Sequence, residues 1–188
     1  LSNVEFSLLV TDTEAGTMRG YFNPRRRFAS VGDIESFPQD GVALGPFASA
    51  GTVASSDTST STAQSPGSFA AGSCLPSSTT LCLQLNRFAV TVEWTDFEGE
   101  SGVGYAIPMT PDTGSFWFFE EGIHELAVKV IDGLDTNGSF WVYYASLSNV
   151  EFDLTVTDSL TGDLWTRHNP AGTFASGGDI EAFPQSLP

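Results

Sequence analysis

Lysine is nearly missing from this chain: Lys129 is the only one in 188 residues, and six arginines bring the basic total to 7 against 23 acidic residues. The formal net charge is −16. Phosphate backbones and anionic headgroups need a cationic surface, so the composition argues against nucleic acid or a lipid headgroup layer as partner. No apolar run approaches the roughly 20 residues that span a bilayer, so membrane insertion is not expected. Histidine is confined to His124 and His168, and no serine stands in a G-x-S-x-G elbow. A nucleophile therefore has little chance of a base beside it. The carboxylates Asp96, Glu98 and Glu100 crowd one turn region, where exposed charge is the ordinary explanation, so paired-acid hydrolysis is not expected either. The sequence predicts no catalytic residues and no enzyme. The excess of acid keeps a chain soluble through self-repulsion. Bound divalent cations or a salty medium that screens the charge are the sharper explanations.

Cysteine is scarce too. Cys74 and Cys82 enclose seven residues with a proline and a Ser/Thr cluster, and neither has a C-x-x-C companion to hold a metal. The pair predicts a disulfide and an oxidising compartment. With Leu1 in first place and no signal peptide, the expectation is a mature or trimmed chain that is secreted, extracellular or at the cell surface.

What is present is a repeat. Residues 147–184 match residues 1–38 without a gap, at 22 of 38 positions. Each copy opens Leu-Ser-Asn-Val-Glu-Phe and closes on Phe-Ala-Ser, Gly-Asp-Ile-Glu and Phe-Pro. Phe6, Leu8 and Val10 alternate onto one face, Gly16 supplies a turn, and Met18–Phe22 returns, stopped by Asn23-Pro24. Each copy is thus a hairpin with a tail. Residues 39–73 form a connecting segment rich in Ser, Thr, Gly and Ala, with a Thr52–Thr62 run that could carry O-glycans. The module at 74–184 is denser. Phe88, Val90, Val92 and Trp94 alternate along a strand that turns at 97–102 and returns at Val103–Ile107, where Pro108 and Pro111 close the unit. Ser115–Phe119 follows as a short aromatic strand. Leu126, Val128 and Val130 face away from Ala127, Lys129 and Ile131. Asn137-Gly138 signals a tight turn before Phe140–Tyr144. Short strands with turns about every ten residues predict an all-β fold, a β-sandwich of short antiparallel strands with an extra N-terminal hairpin.

Three surface features invite a ligand. Asp132, Asp135 and Asn137 gather oxygens in one turn, a candidate calcium loop without the downstream glutamate of an EF-hand; turn-forming Asp and Asn explain the same pattern. Asp33/Glu35 and Asp179/Glu181 recur in the two tails. Asn137-Gly138-Ser139 is formally a glycosylation sequon, which a tight turn also explains. Trp117 and Phe119 point opposite Phe116 and Phe118, and Trp141 and Tyr143 point opposite Phe140, Val142 and Tyr144. Aromatics on both faces mean that both are covered within the fold or that one meets a partner, a glycan included. Trp165 is a further stacking candidate, but the first copy has Arg19 in its place.

The motif series Leu81-Cys82-Leu83, Asn86-Arg87-Phe88, Trp94-x-Asp96-Phe97-x-Gly99 and Phe116–Phe119 continues through Glu125-Leu126-x-Val128-Lys129-Val130-x-Asp132-Gly133. It goes on with Asn137-Gly138-x-Phe140-Trp141-Val142 and Leu147-x-Asn149-Val150-Glu151-Phe152. It resembles an uncharacterised β-rich repeat module of secreted bacterial multidomain proteins, and the resemblance implies a secreted, non-catalytic building block. A terminal hairpin at 1–38 without its own first half departs from that pattern. An unpaired β element seeks a partner. The leading expectation is therefore a structural subunit that assembles with copies of itself into a filament or surface array, Val4, Phe6, Leu8, Val10, Phe28 and Phe37 forming the interface. The alternatives are a carbohydrate- or surface-binding module and a slice of a longer tandem-repeat surface protein.

Overall fold

The computed structural model describes residues 3–33, 35–37 and 73–185, which divide into two compact units. One is the N-terminal hairpin, Asn3–Arg27 with residues 33 and 35–37; the other is residues 73–185 together with Phe28–Gly32. The connecting segment expected at 39–73 lies, apart from Ser73, outside the described residues.

In the first unit β1 (Phe6–Thr11) pairs antiparallel with β2 (Met18–Asn23), as the alternation predicts. The Asp12 carboxylate accepts the backbone N–H groups of Glu14 and Ala15, and Gly16 takes the left-handed turn position at φ 70°.

The second unit is a sandwich of two five-stranded antiparallel sheets. One runs β11 (Leu164–Asn169), β10 (Glu151–Asp158), β4 (Phe88–Thr95), β3 (Leu81–Leu83), with β5 (Ser101–Val103) on the far end of β4. The other runs β12 (Ser176–Pro184), β9 (Ser139–Ser146), β8 (Leu126–Gly133), β7 (Thr113–Trp117), β6 (Tyr105–Thr110). Period-two alternation turns one face of each sheet inward. Phe88, Val90 and Val92 meet Leu126, Val128 and Val130 and the β9 residues Phe140, Val142 and Tyr144 in one buried cluster. Phe88 holds its centre, 4.9 Å from both the Phe140 and Phe183 rings.

Three local expectations are corrected. Strands β8 and β9 do pair, but a single helical turn, α1 (Leu134–Asn137), joins them in place of a two-residue Asn-Gly turn. Gly138 ends it in the left-handed region at φ 73°. Pro108 does not close its strand: β6 continues to Thr110, which an edge strand with an irregular register tolerates. The aromatic strand ends at Trp117, so Phe118 and Phe119 lie beyond it.

Between β3 and β4, three successive residues without a glycine, Gln84, Leu85 and Asn86, adopt φ of 52°, 55° and 66°. Such a run persists only where neighbours over-determine it. Here the Gln84 side-chain amide donates to Asp112 and to the Val130 carbonyl, and the Asn86 carbonyl accepts the Cys74 N–H. Cys74 and Cys82 are disulfide-bonded, as expected, and close the segment that leads into β3. Closing so short a loop restricts the unfolded chain by about 2–3 kcal/mol. Replacing both cysteines by serine should lower the denaturant midpoint by that amount and leave the near-ultraviolet circular dichroism of the sandwich unchanged.

Candidate functional site

The two copies of the repeat build the same hairpin in detail. In β11, Asn169 is buried, and its amide donates to the Val150 and Thr173 carbonyls, both at 2.9 Å. In β2, Asn23 is buried and donates to the Val4 and Arg27 carbonyls at 2.9 and 3.0 Å. Gly162 repeats the left-handed turn of Gly16, and Gly172 that of Arg26. The Leu160 N–H binds the Asp158 carboxylate as the Glu14 N–H binds that of Asp12.

Their surroundings differ. Strand β10 lies between β11 and β4, facing Trp94, Val92, Val90 and Phe88 with Phe152, Leu154, Val156 and Asp158. Val150, Phe152, Leu154 and Val156 are 0–5% exposed. The identical residues of the first copy, Val4, Phe6, Leu8 and Val10, are 38–57% exposed. The tail carries the difference further: Phe183 is a core residue, whereas Phe37 is half-buried. Phe28 belongs to the sandwich unit, its ring 5.9 Å from that of Tyr143. Nearby the Ser30 hydroxyl donates to the Ser146 carbonyl.

Sequence reading missed the polar contact that seats the closing hairpin. Asp158 is fully buried, and Arg87 holds it through Nε at 3.1 and 3.2 Å and Nη2 at 2.6 Å. Arg87 also donates to Gln185 and covers the Phe140 ring at 4.3 Å. One arginine on β4's approach thus fastens the last residue of β10 and the end of β12. The partners are 71 residues apart with no spacing signature between them. Only the retention of Asp at positions 12 and 158 hinted at a role. A second missed pair joins the Ser115 hydroxyl and His124 Nδ1 at 2.5 Å. Ser115 is buried, so its hydroxyl offers no approach to a substrate and serves as an internal tie.

Asp132 accepts the Leu134 N–H. Asn137 accepts the Trp141 indole N–H at 2.8 Å and donates to the Ile180 carbonyl at 2.7 Å, so both ends of its amide are taken. Asp135 stands in the first turn of α1. Among the described residues no three His, Cys, Asp or Glu side chains gather to hold a metal. Of the four expected aromatics, Trp117, Trp141 and Tyr143 share the outward face of one sheet, and Phe119 lies beyond the end of β7. Trp117 stacks on Tyr105 at 4.0 Å, Trp141 is tied to Asn137, and Tyr143 lies beneath Phe28 and within 5.4 Å of the Lys129 ammonium. Phe119 packs edge-on against Trp94, 4.8 Å away, across the mouth of the sandwich. Trp165 donates its indole N–H to Asp179 at 3.0 Å, linking β11 to β12. At the matching places in the first copy, Arg19 donates to the Ser36 carbonyl, and the Tyr21 hydroxyl donates to Asp33. The Tyr21 hydroxyl holds the Asp33 carboxyl below its usual value, with help from Ser36.

Comparison with family models, curated proteins and solved structures gives no match for this chain.

Two predictions test the local chemistry. Arg87→Met strands the buried Asp158 charge and should cost about 3–5 kcal/mol in urea unfolding, most of it regained in Arg87→Met/Asp158→Asn. Burial raises the Tyr143 hydroxyl above its ordinary 10.0. The folded chain holds that proton more firmly than the unfolded one, so this contribution is complete below pH 10 and is lost as pH climbs through the raised folded value. Tyr143→Phe should flatten the alkaline fall in melting temperature.

Proposed function

We propose that this chain is a non-catalytic structural subunit of an extracellular filament or surface array, joined to its neighbours by hairpin complementation. The observation that carries the reading is the split fate of one set of side chains. Val, Phe, Leu and Val close the sandwich in the second copy and stand exposed in the first. A lone two-stranded hairpin is marginal in water, and an apolar face beside an open strand edge is a docking template. Passing a hairpin from one subunit to the next makes a head-to-tail contact that propagates. The disulfide and the strongly acidic surface agree with life outside the cell.

A second reading has its own observation behind it. The described residues hold two closing hairpins and one half-sandwich, β3–β9, which residues 147–184 already fill. Exchange among identical chains therefore always leaves one hairpin per chain uncovered. A longer tandem-repeat surface protein, in which β1–β2 closes a neighbouring module, balances that count without exchange.

Electron microscopy and sedimentation of the full chain separate the two. Filaments are expected from hairpin passing. A variant without residues 1–38 should stay monomeric and keep the melting transition of the 73–185 unit. Compact single particles from the full chain, unchanged by concentration, would sink the filament and leave the tandem array.

A further inference from the structure

The closing hairpin shows what its twin is made to meet. Resting on the tandem-array reading above, we infer that the partner of β1–β2 is a half-sandwich built like β3–β9, without a closing hairpin of its own, and carrying an arginine at the place of Arg87 that takes Asp12.

Three observations specify this partner. The inward residues of β1 repeat those of β10, so they fit an antiparallel strand with the Phe88, Val90, Val92, Trp94 alternation, in the register Val10 to Val90 and Leu8 to Val92. The tail repeats in sequence, although its described residues form no strand: residue 37 is a phenylalanine where Phe183 fills the space beside Phe88 and Phe140, so a partner that takes the tail as well offers the second sheet. Third, Asp12 is retained at the position of Asp158. Its Oδ1 receives the turn N–H groups, as Oδ1 of Asp158 receives that of Leu160. In Asp158, Oδ2 is the oxygen that takes the short 2.6 Å bond from Arg87. Within the hairpin unit, the described residues give Asp12 no cation. The turn alone needs only a short acceptor, which Asn or Ser also supplies. A carboxylate that must sit at the buried junction of two sheets needs a guanidinium facing it, and a bidentate arginine is the side chain that fits that demand.

The arginine also gives selectivity. Apolar alternation is common among strands, and a slipped or foreign strand could bury the same side chains. A buried Asp12 without its arginine would reject such a strand, because an unpaired charge in that place is far more costly than a poor apolar fit.

The test uses the full chain as its own stand-in partner. Leu154→Ala/Val156→Ala weakens the resident hairpin and makes the half-sandwich available. Leu9→Cys and Thr91→Cys report seating, since Thr155, the counterpart of Leu9, lies opposite Thr91. In the weakened chain a disulfide between positions 9 and 91, within or between molecules, should form about tenfold more than in the same reporter chain with β10 intact. Adding Asp12→Asn should reduce it about a hundredfold, the size expected when a buried arginine loses its partner. Asp12→Arg/Arg87→Asp should restore much of it. A cross-link that forms but ignores both Asp12 changes overturns the arginine requirement. No cross-link in the weakened chain, still folded by circular dichroism, overturns the half-sandwich as partner. If Leu154→Ala/Val156→Ala unfolds the chain outright, β1–β2 has failed to replace β10–β11, and the inference falls. None of these results depends on whether the unmodified chain forms filaments, which the deletion of residues 1–38 tests by itself.

Discussion

Strand β10 is internal to its sheet, and the sandwich has no complete core until that strand arrives from the far end of the chain. With order β11-β10-β4-β3, removing residues 147–184 would strip β4 of one neighbour, β9 of β12, and the inner faces of both sheets of their cover. The closing segment reaches both sheets because its hairpin joins one and its tail joins the other. Arg87 ties these two arrivals together by binding Asp158 on one side and Gln185 on the other. A buried ion pair of this kind adds little net stability, but it makes a mismatch expensive. Its place at the meeting point of β4, β10 and β12 suits a part that must be seated in one register.

The same dependence supports the proposed docking role of the first copy. Burying a Val, Leu or Phe side chain is worth about 1.5–3 kcal/mol. Val4, Phe6, Leu8 and Val10 forgo close to half of that, so the hairpin withholds about 3–5 kcal/mol of apolar burial. That sum is comparable to the whole stability of many small domains. It is a sufficient drive for docking, and enough of a liability that a chain carrying it without a partner would tend to aggregate.

The repeat and the strand period made the elements legible, because both are local. The faces of β4, β8 and β9 follow directly from alternation, and so does the inward set of β10. What stayed hidden is non-local or conformational. Nothing in a sequence says that β10 lies beside β4 rather than beside its neighbour β9. The Arg87–Asp158 pair spans that gap, and a lone arginine before a strand reads as surface charge. Asn137-Gly138 reads as a two-residue turn, yet the glycine caps a helical turn and the asparagine amide is used by Trp141 and Ile180. That also explains why an apparent oxygen cluster at Asp132, Asp135 and Asn137 is, for two of its three members, the loop's own hydrogen bonding. The aromatic face was expected from alternation through Phe119, but the strand stops at Trp117, so periodicity lost its meaning there.

The two copies also differ in a way that identifies the constraint on them. On the inward face of the first strand all four side chains are the same. On the outward face Ser7 replaces Asp153 and Leu9 replaces Thr155, and along the second strand only Asn23, the buried tie, matches. His168 and Asp153 form an exposed pair at 3.0 Å that Phe22 and Ser7 do not reproduce. Surface pairs of this sort contribute little and change freely. If the hairpin at 1–38 needed only to fold as a hairpin, its turn and pairing would be kept and its two faces would drift alike. The hairpin's own ties are indeed kept, Gly16 at the turn and Asn23 at the end of β2, and Glu5 and Thr11 persist on the outward face; but the inward face is kept whole, four apolar side chains with the carboxylate at position 12 beyond them, while two of the four outward residues change. That asymmetry supports the proposed docking of the first hairpin against a surface like that of β4, β8 and β9.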